Sequence, residues 1–239
     1  MKKILNYFIN FFFPKVCSCC NKNLSVKYNG AICINCLNNL PKNEGLKCSV
    51  CDVQIQKQQH CYDCLHNKNY FDFIKAPYKY EKSIKMLIHN FKYSNRFFLA
   101  KDFSCAMVDV ILKNQWDKQV DIVIPVPLFW TRKIFRGYNQ ADLLAKEISK
   151  KINIKINNKI LVRKFYTKAQ FALNRKARQE NLQKSFYIRK KYNDIIKNKN
   201  VLLVDDIVTT CATVNSCAKL LKQAGAKKVF VISIARTSF

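Results

Sequence analysis

The sequence predicts an α/β protein with a parallel sheet, preceded by a small cysteine-rich module. Three observations predict this architecture. Four CxxC pairs lie before residue 65, helix and strand patterns alternate from residue 71 onward, and apolar residues make up 49% of the 239-residue chain. That apolar content is sufficient for one mid-sized core, and alternating strands and helices are typical of parallel sheets with crossover helices.

The chain is strongly basic, with a formal net charge of +28. Such a charge favours an anionic partner. Phosphorylated small molecules, nucleic acid and anionic membrane surfaces all meet this condition, so the charge alone does not choose among them. A lysine-rich composition can also arise from AT-rich coding, which lowers the weight of the charge as an indication of nucleic-acid binding.

The first residues, MKKILNYFINFFFPKVC, combine two lysines with an apolar stretch over residues 4–13. This stretch contains Asn6 and Asn10 and lacks the small-residue cleavage site of a signal peptide. It is also too short to span a bilayer. Its apolar residues share one helical face, so we expect a short amphipathic helix packed on the protein itself, with membrane-surface contact as the alternative, and a cytoplasmic location.

Eight of the twelve cysteines form the four CxxC pairs. A two-residue gap lets both thiolates of a tight turn bind one tetrahedral Zn²⁺, and two such turns complete a structural site. A disulfide scaffold and separate redox motifs are the alternatives, but regular spacing in a chain expected in a reducing compartment favours zinc. The expected ligands are Cys17, Cys20, Cys33, Cys36, Cys48, Cys51, Cys61 and Cys64.

The spacing leaves the pairing of these turns open. Sequential pairing gives two zinc ribbons in tandem, whereas cross-braced pairing joins the first turn to the third and the second to the fourth. The cysteine pattern ends near residues 66–72. We therefore predict an N-terminal helix and double zinc ribbon over 1–70 and a main domain over 71–239.

The main domain begins with a strand pattern, two helix patterns and a second strand pattern. FDFIKAPYKY alternates apolar and polar residues, and the two segments after it have apolar residues at helical spacing. VDIVIPV is expected to be a buried strand that ends at its prolines. A basic turn and another helical pattern follow. The strand patterns span 71–80 and 120–126, the helix patterns span 81–93, 97–116 and 141–152, and the basic turn spans 131–140.

The last part of the chain reads as strand, helix and strand, over 201–206, 213–225 and 227–235. In parallel α/β sheets, ligands bind beyond the carboxyl ends of the strands, and VLLVDD ends there on Asp205 and Asp206. The following residues, IVTTCAT, supply backbone N–H groups, threonine hydroxyls and the positive end of a helix, which suit a phosphate. Simple capping of the helix by the acids is the alternative.

The stretch VLLVDDIVTTCAT resembles the motif with which type I phosphoribosyltransferases bind 5-phosphoribosyl-1-pyrophosphate (PRPP). The segments IPVPLFWTRKIFRGYNQADLLAKEI and LVRKFYTKAQFALNRKARQENLQKSF are similar to signatures of the ComF/GntX family, in which tandem CxxC pairs also occur. The resemblance covers essentially the whole chain in the expected order. It implies a type I phosphoribosyltransferase fold, with a Rossmann-like parallel sheet and a small N-terminal zinc-ribbon module.

The resemblance also implies roles for individual residues. Asp205 and Asp206 would face the ribose of PRPP, directly or through Mg²⁺, and a basic loop would neutralise the pyrophosphate. A basic flap over residues 163–186 would close over the site and exclude water. The implied residues are Thr209, Thr210, Cys211, Ala212 and Thr213 around the 5′-phosphate, Arg132, Lys133 and Arg136 at the pyrophosphate, and Arg163, Gln170, Arg178 and Asn181 in the flap.

Cys211 stands where the family has glycine. Glycine tolerates a positive φ and lets phosphate approach the backbone closely, so the cysteine is either tolerated or weakens PRPP binding. The function expected first is that of a Mg²⁺-dependent phosphoribosyltransferase-like protein whose acceptor is unknown. Thr209 takes the place of an acid that helps to deprotonate the base in 6-oxopurine transferases, which disfavours purine salvage.

The family's association with natural transformation implies a second function. The chain would then be a DNA-binding accessory protein of DNA uptake, with little or no transferase activity. Its partners would be single-stranded DNA and a helicase-like DNA-uptake protein, and the flap side of the main domain is the side expected to hold nucleic acid. A degenerate family member that is held together by its zinc ions is a third interpretation.

Overall fold

Five parallel strands form the central sheet of the computed structural model, which describes residues 14–25, 27–57, 59–164 and 185–237. The strand order is β1-β7-β6-β3, and β2 also pairs with β7. A separate antiparallel hairpin consists of β4 (Leu161–Arg163) and β5 (Phe186–Ile188). The sheet strands are β1 (Phe73–Lys75), β2 (Tyr78–Lys79), β3 (Ile122–Pro125), β6 (Asn200–Val208) and β7 (Lys228–Arg236).

Helices cover both faces of this sheet. One face packs against α3, α4 and α6, and the other packs against α8 and the β4–β5 hairpin. A short 3₁₀ helix spans Lys190–Tyr192. The helices are α1 (Ile34–Asn38), α2 (Tyr62–His66), α3 (Lys82–Tyr93), α4 (Leu99–Lys113), α5 (Trp130–Arg136), α6 (Gln140–Ile152), α7 (Asn193–Ile196) and α8 (Ala212–Gln223).

The two central strands explain the long apolar runs near the end of the sequence. β6 and β7 pair in parallel register from Asn200 opposite Lys228 to Val208 opposite Arg236. Because both faces of the sheet are covered, side chains that point to either face are buried along these strands. The alternation of apolar and polar residues that marks a half-exposed strand is therefore absent from them. The α/β class with a parallel sheet, predicted from the sequence, is confirmed.

Three local features differ from the predicted pattern. The strand predicted over 71–80 is interrupted at Ala76–Pro77, because proline has no N–H with which to continue the ladder. The basic turn predicted over 131–140 begins as helix α5, which ends where Gly137 adopts a φ of 74°. β6 does not end at the two acids but continues to Val208, since its pairing with β7 persists beyond them.

The cysteine-rich module packs directly on the main domain. In the first ribbon, the N–H groups of Ala31 and Ile32 donate to the Asp102 carboxylate of α4, at 2.6 and 3.1 Å. In the second ribbon, the Val50 carbonyl accepts from the N–H of Ile74 at 2.7 Å. Buried residues of the first ribbon join the core on the α4 side, and those of the second ribbon join the core on the α8 side.

Several predictions fall outside the described residues. They are the amphipathic helix over residues 4–13 and the flap residues Gln170, Arg178 and Asn181. Within the described ranges, no helix combines the length and the apolarity that crossing a bilayer requires.

The buried carboxylate of Asp52 holds the second ribbon to the sheet, and its removal tests that attachment. Asp52 accepts from the N–H of Ala76 and from the Asn43 amide, and Lys75 pairs with it at 3.0 Å. We expect Asp52→Ala to lower the free energy of unfolding by about 3–5 kcal/mol, because it leaves buried donors without an acceptor.

Urea denaturation of the zinc-loaded protein measures this loss. Glu147→Ala is the matched control, since Glu147 makes an exposed ion pair with Lys150 and its loss should cost less than about 0.5 kcal/mol. Equal losses in the two variants would contradict a special role for Asp52.

Candidate functional site

The CxxC cysteines form two groups of four. Within each group, all four sulfur atoms lie within 4.8 Å of one another. A Zn–S bond of about 2.3 Å places the sulfurs of a tetrahedral site about 3.8 Å apart, so both groups fit zinc. The grouping is sequential, and the cross-braced alternative is wrong. The first site comprises Cys17, Cys20, Cys33 and Cys36, and the second comprises Cys48, Cys51, Cys61 and Cys64.

Both sites are built on the same turn. The residue after the second cysteine is Asn21 in the first site and Asp52 in the second, with φ values of 58° and 59°. The N–H of each donates back to the carbonyl of the first cysteine in its pair, at 2.9 and 3.0 Å. Burial opposes ionisation of Cys17, but backbone N–H donors led by Cys33 outweigh it and lower the Cys17 pKa to about 6. The turn therefore favours the thiolate that zinc requires.

Asp205 and Asp206 lie near the carboxyl end of β6. The Asp205 carboxyl group is enclosed by protein atoms, and this burial raises its pKa to about 8, with a further rise from the Asp206 carboxylate. The N–H of Asp206 donates to Asp205 Oδ1 at 2.8 Å and offsets only part of the rise. Asp205 is therefore mostly protonated at neutral pH.

Lys92 is the cation that pairs with Asp206. Its Nζ lies 3.0 Å from Asp206 Oδ2, and both side chains are less than 20% exposed. Lys92 belongs to the last turn of α3. Sequence reasoning missed it, because its place in a helical pattern is that of an ordinary surface lysine and 114 residues separate it from its partner.

The predicted phosphate loop, residues 209–213, leads from β6 into α8. Thr209 and Thr210 are exposed, and Thr213 is partly buried. Cys211 has a φ of 60°, in the left-handed region that glycine reaches without strain. The cysteine therefore keeps a glycine-like backbone, at a cost of about 1–2 kcal/mol.

The thiol of Cys211 is turned toward the second zinc site. Arg236 Nη2 lies 3.3 Å from the Cys211 sulfur and 3.9 Å from the Cys51 sulfur. The interaction between the two cysteine side chains lowers the pKa of Cys51 and raises that of Cys211. The raised pKa of Cys211 is unfavourable for a nucleophilic role, which needs a thiolate.

Arg236, near the end of β7, joins the same two segments. Its Nε donates to the Cys51 carbonyl at 2.9 Å, and its Nη1 donates to the carbonyls of Val208, at 3.1 Å, and Thr209. Its Nη2 lies 3.3 Å from Cys211 Sγ. Sequence reasoning missed this residue as well, because only the parallel register places Arg236 beside Val208.

Two further arginines, Arg163 and Arg132, lie near each other, and the charge of Arg163 acts on Asp205. Arg163 lies at the end of β4. Burial and then the charge of Arg132 lower its pKa, whereas the charge of Asp205 raises it. Its guanidinium lies over the Phe186 ring, and Arg163 Nε has no hydrogen-bond partner among the described residues. A cavity of about 250 Å³ lies here at the carboxyl end of β3, lined in part by Pro125, Trp130, Asn139, Arg163 and Arg189.

The predicted basic loop is mostly helix α5. Arg132 is exposed, whereas the guanidinium of Arg136 stacks on the Tyr93 ring at 4.6 Å and donates to its hydroxyl at 2.7 Å. Lys133 lies on the same short helix. The structure thus brings Arg163 within electrostatic reach of Asp205, places Arg132 near Arg163, and engages Arg136 with the end of α3. The roles of these residues in binding PRPP stay predictions.

Comparisons with known proteins agree with this architecture. The family model for the phosphoribosyl transferase domain matches residues 140–237, and the model for the double zinc ribbon domain matches residues 8–65. A double zinc ribbon joined to a phosphoribosyl transferase domain is therefore the class of protein that the fold and the sites define.

Curated relatives share this organisation over their whole length. Competence protein F of Haemophilus influenzae is 34% identical over 230 residues, which cover 94% of this chain and 98% of that protein. The DNA utilization protein YhgH of Escherichia coli K12 is 27% identical over 228 residues, with the same coverage. The chain belongs to the ComF family of competence proteins. Among solved structures, a hypoxanthine phosphoribosyltransferase from Trypanosoma cruzi is 12% identical, with a TM-score of 0.37, over 59% of this chain and 73% of that one.

The raised pKa of Asp205 predicts a dependence of stability on pH. Asp205 stays protonated up to about pH 8 in the folded chain, whereas an exposed aspartate loses its proton above pH 3.8. Rising pH therefore favours the unfolded state between these values, by up to about 1.4 kcal/mol for each pH unit. An asparagine side chain at this position would not titrate, and its amide oxygen would still accept from the Asp206 N–H. As pH rises from 5 to 8, we therefore expect the free energy of unfolding of Asp205→Asn to increase relative to that of the parent.

Thermal melting of zinc-loaded protein without Mg²⁺ measures this difference. Melting temperatures of parent and variant that change in parallel over this range would contradict the enclosed, protonated state of Asp205.

Proposed function

We propose that this chain binds PRPP with Mg²⁺ at the carboxyl edge of the sheet and acts as a phosphoribosyltransferase-like protein. One observation carries the proposal: a pair of acids and a loop with a glycine-like backbone lie at the end of one strand, and Arg163, with Arg132 near it, acts electrostatically on Asp205. Carboxylates suit a sugar diol or Mg²⁺, whereas the loop and the arginines suit phosphate groups. PRPP presents these three chemistries in one molecule.

The 5′-phosphate is assigned to residues 209–213. The loop opens the 12-residue helix α8, whose N-terminal N–H groups and positive dipole attract an anion. Thr209 and Thr210 are exposed, so their hydroxyls are free to reach a bound phosphate. The thiol of Cys211 lies 3.3 Å from Arg236 Nη2, toward the second zinc site, which supports a phosphate site that the cysteine does not fill.

The ribose is assigned to Asp205 and Asp206. Lys92 keeps Asp206 paired, and the enclosed Asp205 holds a proton in the free protein. A bound Mg²⁺ would supply positive charge to the pyrophosphate, and the two carboxylates are the oxygen ligands in this region that would hold it, directly or through the sugar hydroxyls. Binding of the cation would then release the proton of Asp205.

The pyrophosphate is assigned to the basic side of the cavity beside β3. Burial and then the charge of Arg132 lower the pKa of Arg163, and the Nε of Arg163 is buried without a hydrogen-bond partner among the described residues. An anion between these side chains would satisfy both conditions. Interactions that strengthen as charge develops on the leaving group would assist cleavage of the anomeric bond.

A thermal-shift experiment tests PRPP binding. PRPP with Mg²⁺ at about 100 times its dissociation constant should stabilise the zinc-loaded protein by about 2.7 kcal/mol, seen as a rise of several degrees in the melting temperature. The double variant Asp205→Asn, Asp206→Asn should abolish this rise, and Cys211→Gly should retain it.

The matched control is Asp109→Asn, which neutralises an exposed acid of α4. It should respond to PRPP as the parent does. A melting curve of the parent that millimolar PRPP with Mg²⁺ leaves unchanged would contradict the proposal.

A specific surface also favours the second function, binding of single-stranded DNA. The aromatic–basic face, defined by Tyr93, Phe97, Trp130, Ile134, Phe135 and Arg136, joins the end of α3 to α5. Phe135 is 91% exposed and Trp130 is 63% exposed. Exposed rings beside arginine side chains suit unpaired bases and their phosphates. The names of the relatives, a competence protein and a DNA utilization protein, support a role of this chain in the handling of DNA.

Salt titration and one aromatic substitution test DNA binding. The affinity for an oligothymidylate should fall steeply between 50 and 200 mM salt, by about 300-fold if six phosphates are contacted. Phe135→Ala should lower the affinity about tenfold by removing a stacking surface.

Tyr62→Ala removes a comparably exposed ring of the second ribbon and should leave the affinity unchanged. Equal binding by Phe135→Ala and the parent would exclude the aromatic–basic face as the DNA site.

A further inference from the structure

The second zinc site and the phosphate loop share a set of polar contacts. Cys51 is a zinc ligand by position, its carbonyl accepts from Arg236 Nε at 2.9 Å, and its sulfur lies 3.9 Å from Arg236 Nη2. The same guanidinium donates to the carbonyls of Val208 and Thr209 at the entry to the loop. One arginine therefore fixes the distance between a zinc-binding turn and the backbone of the loop.

The chain conformation at Cys211 depends on these contacts. An L-residue with a φ of 60° stores strain, which persists only where the surroundings hold it. Here Nη2 of Arg236 lies 3.3 Å from the sulfur of Cys211 and 3.9 Å from the sulfur of Cys51. Loss of the Cys51 turn would remove the carbonyl and the sulfur that Arg236 contacts there, and would so weaken its hold on the thiol.

A second contact links the segment after the second ribbon to the first turn of α8. The Asn215 side chain accepts from the N–H of Tyr70 at 2.7 Å and donates to the Lys68 carbonyl at 3.2 Å. The N–H of Asn215 in turn donates to the Cys211 carbonyl at 2.8 Å. The loop is thus tied to the second ribbon at its beginning, through Arg236, and at its end, through Asn215.

The first zinc site makes its contacts elsewhere. Its ribbon is held to α4 by the Asp102 carboxylate, and Arg96 donates to the Ser18 hydroxyl at 3.0 Å. The two sites have the same ligands and the same turn, so each serves as a control for the other.

We propose that the second zinc site controls the conformation of the phosphate loop, with Arg236 as the positioning residue. Zinc orders the Cys51 turn, the turn presents its carbonyl and sulfur to Arg236, and Arg236 holds residues 208–211 in the shape that anion binding needs. Zinc in the first site has no such effect. This inference rests on the proposed function for the role of the loop, but its test measures the loop itself.

Hydrogen exchange of residues 207–216, together with zinc content, tests the proposal on the full chain without PRPP. Cys64→Ser, in the second site, and Cys20→Ser, in the first, should each lower zinc from two ions to one per chain. Cys64→Ser should speed exchange of residues 207–216 about tenfold or more, whereas Cys20→Ser should leave it within about twofold. Equal exchange of this segment in the two variants would overturn the proposal.

Arginine variants keep the test decisive if a cysteine variant fails to fold. Arg236→Lys retains the charge but lacks the planar fork that reaches several acceptors at once, so it should keep two zinc ions and still speed exchange of residues 207–216 about tenfold. Arg96→Lys, the corresponding change at the first ribbon, should not. Unchanged exchange in Arg236→Lys would overturn the proposal. Failure of PRPP to bind the parent would refute the proposed function and leave this result standing.

Discussion

The parallel pairing of β6 with β7 is the constraint on which the rest of this structure depends. It buries apolar side chains on both faces of the sheet and therefore requires the helix layers that cover them. It also continues past Asp205 and Asp206 to Val208. Since Arg236 lies opposite Val208, the same register sets the guanidinium between the phosphate loop and the second ribbon.

The zinc ribbons are part of the core rather than an appendage. Cys17 of the first ribbon and Cys48 of the second are fully buried, each in the apolar cluster on its own side of the sheet. A short segment with few large apolar residues cannot fold by burial alone. Zinc binding and packing against the main domain therefore both stabilise the ribbons. The carboxylates of Asp102 and Asp52 then fix each ribbon at a polar contact.

The parts that the sequence predicted well are those whose signal is local. CxxC spacing identified the eight cysteines that form the two groups of four, and the apolar runs located the central strands and most helices. Residues such as Lys92 and Arg236 could not be predicted, because their roles arise from contacts across more than 100 residues and their local patterns are ordinary. The end of β6 was misplaced for a similar reason: acids usually end a buried strand, and only the pairing with β7 carries this one further.

The position of β7 at the centre of the sheet also has a consequence for biosynthesis. Among the strands of the sheet, β7 comes last in sequence, yet it pairs with β1, β2 and β6. Both ribbons can bind metal while translation proceeds, because their ligands are close in sequence, but the sheet cannot be completed before β7 is made. A nascent chain would thus hold β1 and β2 without their partner strand, beside two completed zinc sites, until β7 has been synthesised.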